Sequence, residues 1–190
     1  MSSPELFDLL QKSHPGAARA AFDKYYSRLA AIALRYAKSA TQAEELFNQA
    51  FQATLLAVKS MRQAPLDLDD FVEREFLKQA IAFVKSIRSE YFVSSTVHAT
   101  GDTKPRGYDL FDAQEVIDYR QIENEVLLRG IQQLVPAQRL VFNLHVIEDL
   151  SVSETAELLE ASEGTVKSNL EKARYNLQKN IDKMLKAVKV

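Results

Sequence analysis

LSVSETAELLEASEGTVKSNLEKARYNLQ, residues 150–178, reads as two helices joined by a tight turn. Ser151 stands three residues before Glu154. That is capping-box spacing: the hydroxyl accepts from a free backbone N–H while the carboxylate reaches back to the cap. Val152, Ala156 and Leu159 then share one helical face. The period breaks at Glu160-Ala161, and Ser162 is placed to cap a second helix. In that helix Val166, Leu170, Ala173 and Leu177 recur at helical spacing and are expected to point inward. Thr165, Lys167, Ser168, Asn169, Glu171 and Lys172 are left outside. A capped helix, a short turn and a longer polar-faced helix is the form of a helix-turn-helix, whose second helix fits the DNA major groove. An ordinary helical hairpin has the same periodicity, so spacing alone leaves both readings open.

The charge pattern around this stretch is uneven. The 190-residue chain has a net charge of −2, which is not the basic body of an autonomous DNA binder. From Ser162 to Val190, however, seven Lys and Arg face three acidic residues. Lys172, Lys179, Lys183 and Lys186 fall on one helical face. Such a stripe can follow a phosphate backbone, or it can be a solvated face whose late lysines complement the helix dipole.

The rest of the chain predicts an all-α protein. Five Pro and five Gly leave long stretches without a helix breaker. A short helix over 4–12 is interrupted around His14-Pro15-Gly16. A helix over 17–39 carries Phe22, Tyr26, Leu29, Ala33 and Tyr36 on one face. The next, over 41–62, has Thr41 as its cap and Leu46, Phe47, Ala50, Phe51, Leu55 and Val58 as its stripe. A third long helix, over 68–91, is expected to bury Phe76, Ala80, Phe83 or Val84, and Ile87. Three such helices close a small bundle. Residues 93–111, VSSTVHATGDTKPRGYDLF, lack any sustained period and read as a flexible linker between domains at 1–92 and 112–190. Beyond it come a helix over 112–134 and a helix that opens on Pro136 and carries Leu140, Val141, Leu144 and Ile147 inward as far as Glu148. With the two helices of the opening stretch, that makes a four-helix helix-turn-helix domain.

The run 134–174, LVPAQRLVFNLHVIEDLSVSETAELLEASEGTVKSNLEKAR, resembles the C-terminal domain of bacterial extracytoplasmic-function sigma factors, the small two-domain members of the primary sigma family. The resemblance rests on Leu-x-Pro-x-x-Arg, Leu-Ser, Ala-Glu-x-Leu, Ser-Glu-Gly-Thr-Val-Lys-Ser and Ala-Arg in series. It implies a domain that binds the minus-35 promoter element, with Lys167, Ser168, Glu171 and Lys172 at DNA-contacting positions and Thr165 on the same outer face. Lysine suits phosphate or a guanine edge, serine suits either, and a glutamate accepts from a cytosine amino group. Asn169 stands where the family usually has Arg. Glu160 stands where it usually has Gly, so the turn is expected to find another backbone solution.

Residues 17–92 are similar to the family's other domain. FDKYYSRLAAIALRYA looks like its first helix, and QAEELFNQAF, residues 42–51, looks like its core-polymerase-binding segment. There Glu45, Asn48 and Gln49 hold the positions of the family's Asp, Gln and Glu. An acidic, amide-rich face suits a basic partner; an ordinary solvated helix face has the same composition. DFVEREFLKQAIAFVKSIRSEYF, residues 70–92, aligns with the family's promoter-melting and minus-10-reading helix, for which Phe76, Lys78, Lys85 and Arg88 are the melting candidates. Strand separation needs phosphate neutralisation and a surface on which an extruded base can stack. Phe76, Phe83, Tyr91 and Phe92 can stack, although aromatics at this spacing are commonly core. The stretch 4–92 has twelve basic and eleven acidic residues, nearly balanced.

The resemblance therefore implies a transcription initiation factor. Its partners would be core RNA polymerase, double-stranded promoter DNA and an anti-sigma factor that holds it inactive. A sigma-like DNA-binding regulator that does not initiate is the alternative. Enzyme chemistry is not expected: His14, His98 and His145 are scattered without metal-ligand spacing, and there is no phosphate-cradling Gly loop. His145, in an apolar helix, is expected to be packed or bonded. No cofactor is implied. The absence of Cys, of a signal-peptide pattern and of a membrane-length apolar run leads to an expectation of a cytoplasmic protein without membrane insertion.

Overall fold

The computed structural model describes residues 2–87 and 122–188, the last two by backbone alone, and every described element is helical. The chain divides into two compact units, Met1–Ser86 and Ile87–Val190. The expected linker at 93–111 lies outside the described residues, as does the 112–121 part of the expected helix over 112–134.

The first unit contains α1 (Ser3–Gln11), α2 (Ala17–Tyr36), α3 (Ala40–Ser60) and α4 (Leu68–Ile87). Its core includes Leu6, Leu10, Leu29, Tyr36, Leu46, Val58 and Phe76. The short first helix is thus a full member of the bundle. On α2 the buried line runs through Ala21, Tyr25, Leu29, Ala33 and Tyr36, and the expected Tyr26 is 48% exposed. Tyr25 is the tyrosine taken inside because its hydroxyl has a partner there, donating to Asp69 Oδ1 at 2.7 Å. Tyr26 instead joins Phe22 and Phe47, with ring centroids 4.8 and 5.4 Å away, in an aromatic cluster at the edge of the core.

Several helix limits differ from expectation: α2 ends at Tyr36, not Ser39, where Ala37 turns to extended backbone. The cap of α3 is Ser39, whose Oγ accepts from the Gln42 N–H at 3.2 Å, so Thr41 lies inside the helix. That helix ends at Ser60, not Arg62, where Gln11 Nε2 donates to the carbonyls of Val58 and Met61 at 2.8 and 3.0 Å. In α4 both Phe83 and Val84 are buried, whereas Ile87, expected inside, is 45% exposed in the final turn. Arg88, Tyr91 and Phe92 are outside the described residues.

Asp69 ties three helices together. Its Oδ1 accepts from Ser3 Oγ at 2.9 Å, Lys24 Nζ at 2.7 Å and Tyr25 Oη at 2.7 Å. Burial alone would raise its pKa, but the hydrogen bonds from Lys24, Tyr25 and Ser3 outweigh that and hold the carboxyl below its usual value. Burial, then the bond to Asp69, pushes the Tyr25 phenol up.

The second unit contains α5 (Asn124–Gln132), α6 (Pro136–Phe142), a π-helical turn (Asn143–Ile147), α7 (Val152–Leu159) and α8 (Glu163–Val188). Ile122 and Glu123 are not helical, so the helix expected from 112 begins at Asn124 within the described residues. Pro136 occupies the first turn of α6 as expected. The π-turn was not foreseen. Its wider winding, with the Glu148 N–H donating to the Asn143 carbonyl at 2.9 Å, shifts the inward face by a residue. Leu144 stays buried and Ile147, expected inside, is 37% exposed.

Ile131, Leu134, Phe142, Ala173, Leu177 and Ile181 form one core cluster. At Gly130 α5 approaches α8 so closely that a Cβ would lie 2.8 Å from Leu177 Cδ1 and 3.2 Å from Ile181 Cγ1. Arg139 is only 3% exposed. Its Nη1 donates to the carbonyls of Gln132 and Leu134 at 2.9 and 3.2 Å, satisfying carbonyls at the end of α5. Burial lowers its guanidinium pKa to about 10, which leaves it protonated at neutral pH.

Two outcomes follow from these contacts. The Asp69→Asn chain melts at a lower temperature than wild type at neutral pH. Because the folded Asp69 pKa is depressed, its contribution is complete above about pH 4 and is lost as pH falls through the folded value. The difference in melting temperature between the two proteins therefore shrinks on acidification, as read by circular dichroism. Gly130→Val, which drives a branched side chain into Leu177 and Ile181, lowers unfolding free energy by about 2 kcal/mol in denaturant titrations.

Candidate nucleic-acid interface

The helix-turn-helix is built from three local devices. At the start of α7, Ser151 Oγ accepts from the Glu154 N–H at 3.1 Å and Glu154 Oε2 accepts from the Ser151 N–H at 2.8 Å, closing the expected capping box. The Ser151 hydroxyl, then its backbone N–H, holds the Glu154 carboxyl below its usual pKa. At the start of α8, Ser162 Oγ accepts from the Thr165 N–H at 3.1 Å and lies 2.9 Å from the Thr165 hydroxyl, so Ser162 is the cap as expected.

Between them Glu160 takes φ 56° and ψ 41°. The turn has not found another backbone solution. A glutamate adopts the left-handed conformation that glycine would supply, and the Ala161 N–H bonds the Ala156 carbonyl at 2.9 Å while the Glu160 N–H bonds Glu157 at 3.1 Å. These are the two bonds of a Schellman motif, which fixes the direction in which the chain leaves α7.

Upstream, His145 Nδ1 lies 2.7 Å from the Leu150 carbonyl. The expectation that His145 is a bonded residue holds: it ties the π-turn to the residue before the Ser151 cap.

Val166, Leu170, Ala173 and Leu177 are all buried as expected, and so are Ala156 and Leu159; Val152 is half-buried. Thr155 is fully buried beside them, a position that the sequence reading did not place inside. On the outer side Lys167 and Glu171 are exposed, while Thr165, Ser168, Asn169 and Lys172 are half-buried. Sequence reading had not paired Lys167 with Glu163, whose Oε2 is 3.3 Å from the ammonium. Both ends are more than half exposed, so the pair is weak and Lys167 is free to exchange it for another anion. Asn169 Nδ2 donates to the Thr165 carbonyl at 3.0 Å, which turns its amide back onto its own helix. Thr165, Lys167, Ser168, Glu171 and Lys172 thus lie off the buried stripe in the first three turns of α8.

In the first unit Glu45, Asn48 and Gln49 are exposed on α3 at i, i+3 and i+4, and Gln49 Nε2 donates to Glu45 Oε1 at 3.4 Å. The candidates on α4 are not brought together. Phe76 is fully buried, 5.7 Å from the Phe47 ring, because α4 needs it to fill the core. It presents no face on which a base can stack, and Phe83 is buried as well. Lys78 is exposed, 3.8 Å from Glu75; Lys85 is half-buried; Arg88 falls outside the described residues.

Among the described residues no group of His, Asp or Glu is placed to hold a metal ion, and no helix is long and apolar enough to cross a membrane.

Residues 124–177 match the family model described as Sigma-70, region 4. Two solved structures are among the matches. One is the sigma factor RpoE in complex with the anti-sigma factor NepR from Bartonella quintana, at 16% identity over 88% of this chain and 98% of that one, with a TM-score of 0.49. The other is the RsbN–BldN complex, at 17% identity over 91% and 97% of the two chains, with a TM-score of 0.36. No curated protein matches the chain.

Two substitutions test the local devices. Glu160→Gly removes the left-handed strain and raises unfolding free energy by about 1 kcal/mol. Ser162→Ala, which removes the α8 cap, lowers it by about 1 kcal/mol. Both are read from urea denaturation of the full chain.

Proposed function

We propose that the chain is a transcription initiation factor of the extracytoplasmic-function sigma type. The observation that carries this reading is the coincidence of two features in one segment. Residues 124–177 match sigma-70 region 4, and the same residues fold into a capped helix-turn-helix with lysines on the free face of its second helix. In this reading α8 enters the major groove of a minus-35-like element. Lys167 and Lys172 bind phosphate or a guanine edge, Thr165 and Ser168 bond either, and Glu171 accepts from a cytosine amino group while excluding bases that offer it only acceptors. The first unit docks on core RNA polymerase through Glu45, Asn48 and Gln49, whose exposure on one face of α3 fits a cationic partner surface. No covalent chemistry is required, since the protein contributes promoter choice to an enzyme that lacks it. An anti-sigma factor, covering these surfaces in the cytoplasm, is the regulator this reading implies.

One observation favours a second reading, a sigma-like DNA-binding regulator that does not initiate. Phe76 and Phe83, the described stacking candidates on α4, are both in the core.

Purified core RNA polymerase, immobilised and challenged with the chain, separates the two. The initiation reading expects wild type to be retained and a Glu45→Lys/Gln49→Lys variant to be lost. Failure of the wild-type chain to bind polymerase, with duplex binding by the full chain intact, overturns initiation in favour of the regulator.

A further inference from the structure

The lysines beyond the groove-facing turns of α8 have no role in the reading above. Lys179 and Lys183 are exposed and, with Lys186, form no ion pair among the described residues. Their placement is regular. At about 100° per residue, Thr165, Ser168, Lys172, Lys179, Lys183 and Lys186 fall within one arc of about 60° on the helix surface. The buried residues Val166, Leu170, Ala173, Leu177 and Ile181 lie on the opposite side. The acidic residues of the helix, Glu163, Glu171 and Asp182, fall outside that arc. Along the axis, Lys179, Lys183 and Lys186 stand about 10, 16 and 21 Å beyond Lys172, at 1.5 Å per residue.

Two simple explanations of these lysines fall short. The helix dipole favours a cation in the last turn, which accounts for Lys186 and leaves Lys179 and Lys183 unexplained. Intrahelical pairing does not account for them either: Asp182, three residues beyond Lys179, forms no ion pair among the described residues, and Lys179 and Lys183 are i,i+4 neighbours of like charge that oppose helix formation. An anion brought to the arc relieves that repulsion.

We infer that Lys179, Lys183 and Lys186 form a phosphate-binding ridge that tracks the DNA backbone flanking the site read by the first turns of α8. This rests on the major-groove reading of Thr165, Ser168 and Lys172 and deepens it. A continuous helix keeps its face, so if Lys172 faces the duplex the later lysines do too, as α8 leaves the groove and crosses the strand beside it. The ligand is the phosphodiester itself, so the ridge adds affinity without adding sequence preference. It is also a means by which a chain of net charge −2 concentrates its positive potential where the duplex lies.

The test is the salt dependence of binding by the full chain to a fluorescein-labelled duplex of arbitrary sequence, followed by anisotropy. Each phosphate contact contributes about 0.9 to the slope of log K against log salt concentration. Wild type, Lys172→Gln and the triple variant Lys179→Gln/Lys183→Gln/Lys186→Gln are compared, with circular dichroism confirming equal helicity. The ridge predicts that the triple variant loses about 2.7 from the slope and Lys172→Gln about 0.9. An unchanged slope in the triple variant, with Lys172→Gln still reduced, overturns the ridge and leaves the groove reading standing. If that triple variant instead loses binding to polyglutamate, the lysines serve an acidic protein and the ridge is likewise overturned. Absence of duplex binding by wild type even at low salt overturns both the groove reading and the ridge.

Discussion

The second unit depends on α8 being buried along one stripe from Val166 to Ile181 and left mainly polar on the other side. Val166, Leu170, Ala173, Leu177 and Ile181 supply the stripe, and the other helices of the unit are arranged to cover it. That constraint explains features with no direct part in recognition. Gly130 is bare so that α5 can come close. Arg139 is drawn inside, away from water, to satisfy carbonyls that the end of α5 would otherwise leave open in an apolar setting. The presentation of an outward face is a consequence of how firmly the inward one is held.

Position within α8 was legible in the sequence because the stripe is strictly periodic and the caps are serines at conventional offsets. Ser151, Ser162 and all four expected inward residues of α8 are where spacing put them. The turn was legible only in part. The break at Glu160-Ala161 was visible, yet a glutamate gives no sign that it will adopt a left-handed backbone. The Schellman bonds around it compensate for strain that composition does not record. The π-turn was illegible for a related reason: Leu140, Val141, Leu144 and Ile147 fit an ordinary helix, and only the bonding of Asn143 to Glu148 reveals the wider winding.

The first unit yielded its helices but not all of its faces. Adjacent Tyr25 and Tyr26 are nearly equivalent to a periodicity argument, and the choice between them was made by Asp69, 44 residues away. Phe76 illustrates the converse. Its aromatic ring suited both a core and a stacking surface, and only its burial against Phe47 decides between them. The resemblance to a polymerase-binding segment fared differently, since Glu45, Asn48 and Gln49 are indeed exposed together, but exposure is common to a docking face and a solvated one.

The Asp69 contacts also bear on the order in which the first unit can be made. Ser3 meets a partner 66 residues further on, and Gln11 meets partners 47 and 50 residues further on. A nine-residue helix is too short to persist alone in water. During synthesis α1 therefore leaves the ribosome before its partners in α3 and α4, and its hydrogen bonds are complete only once the start of α4 has been released. Until then Leu6 and Leu10 have no completed core to enter, and the opening segment of the chain is available to chaperones and proteases.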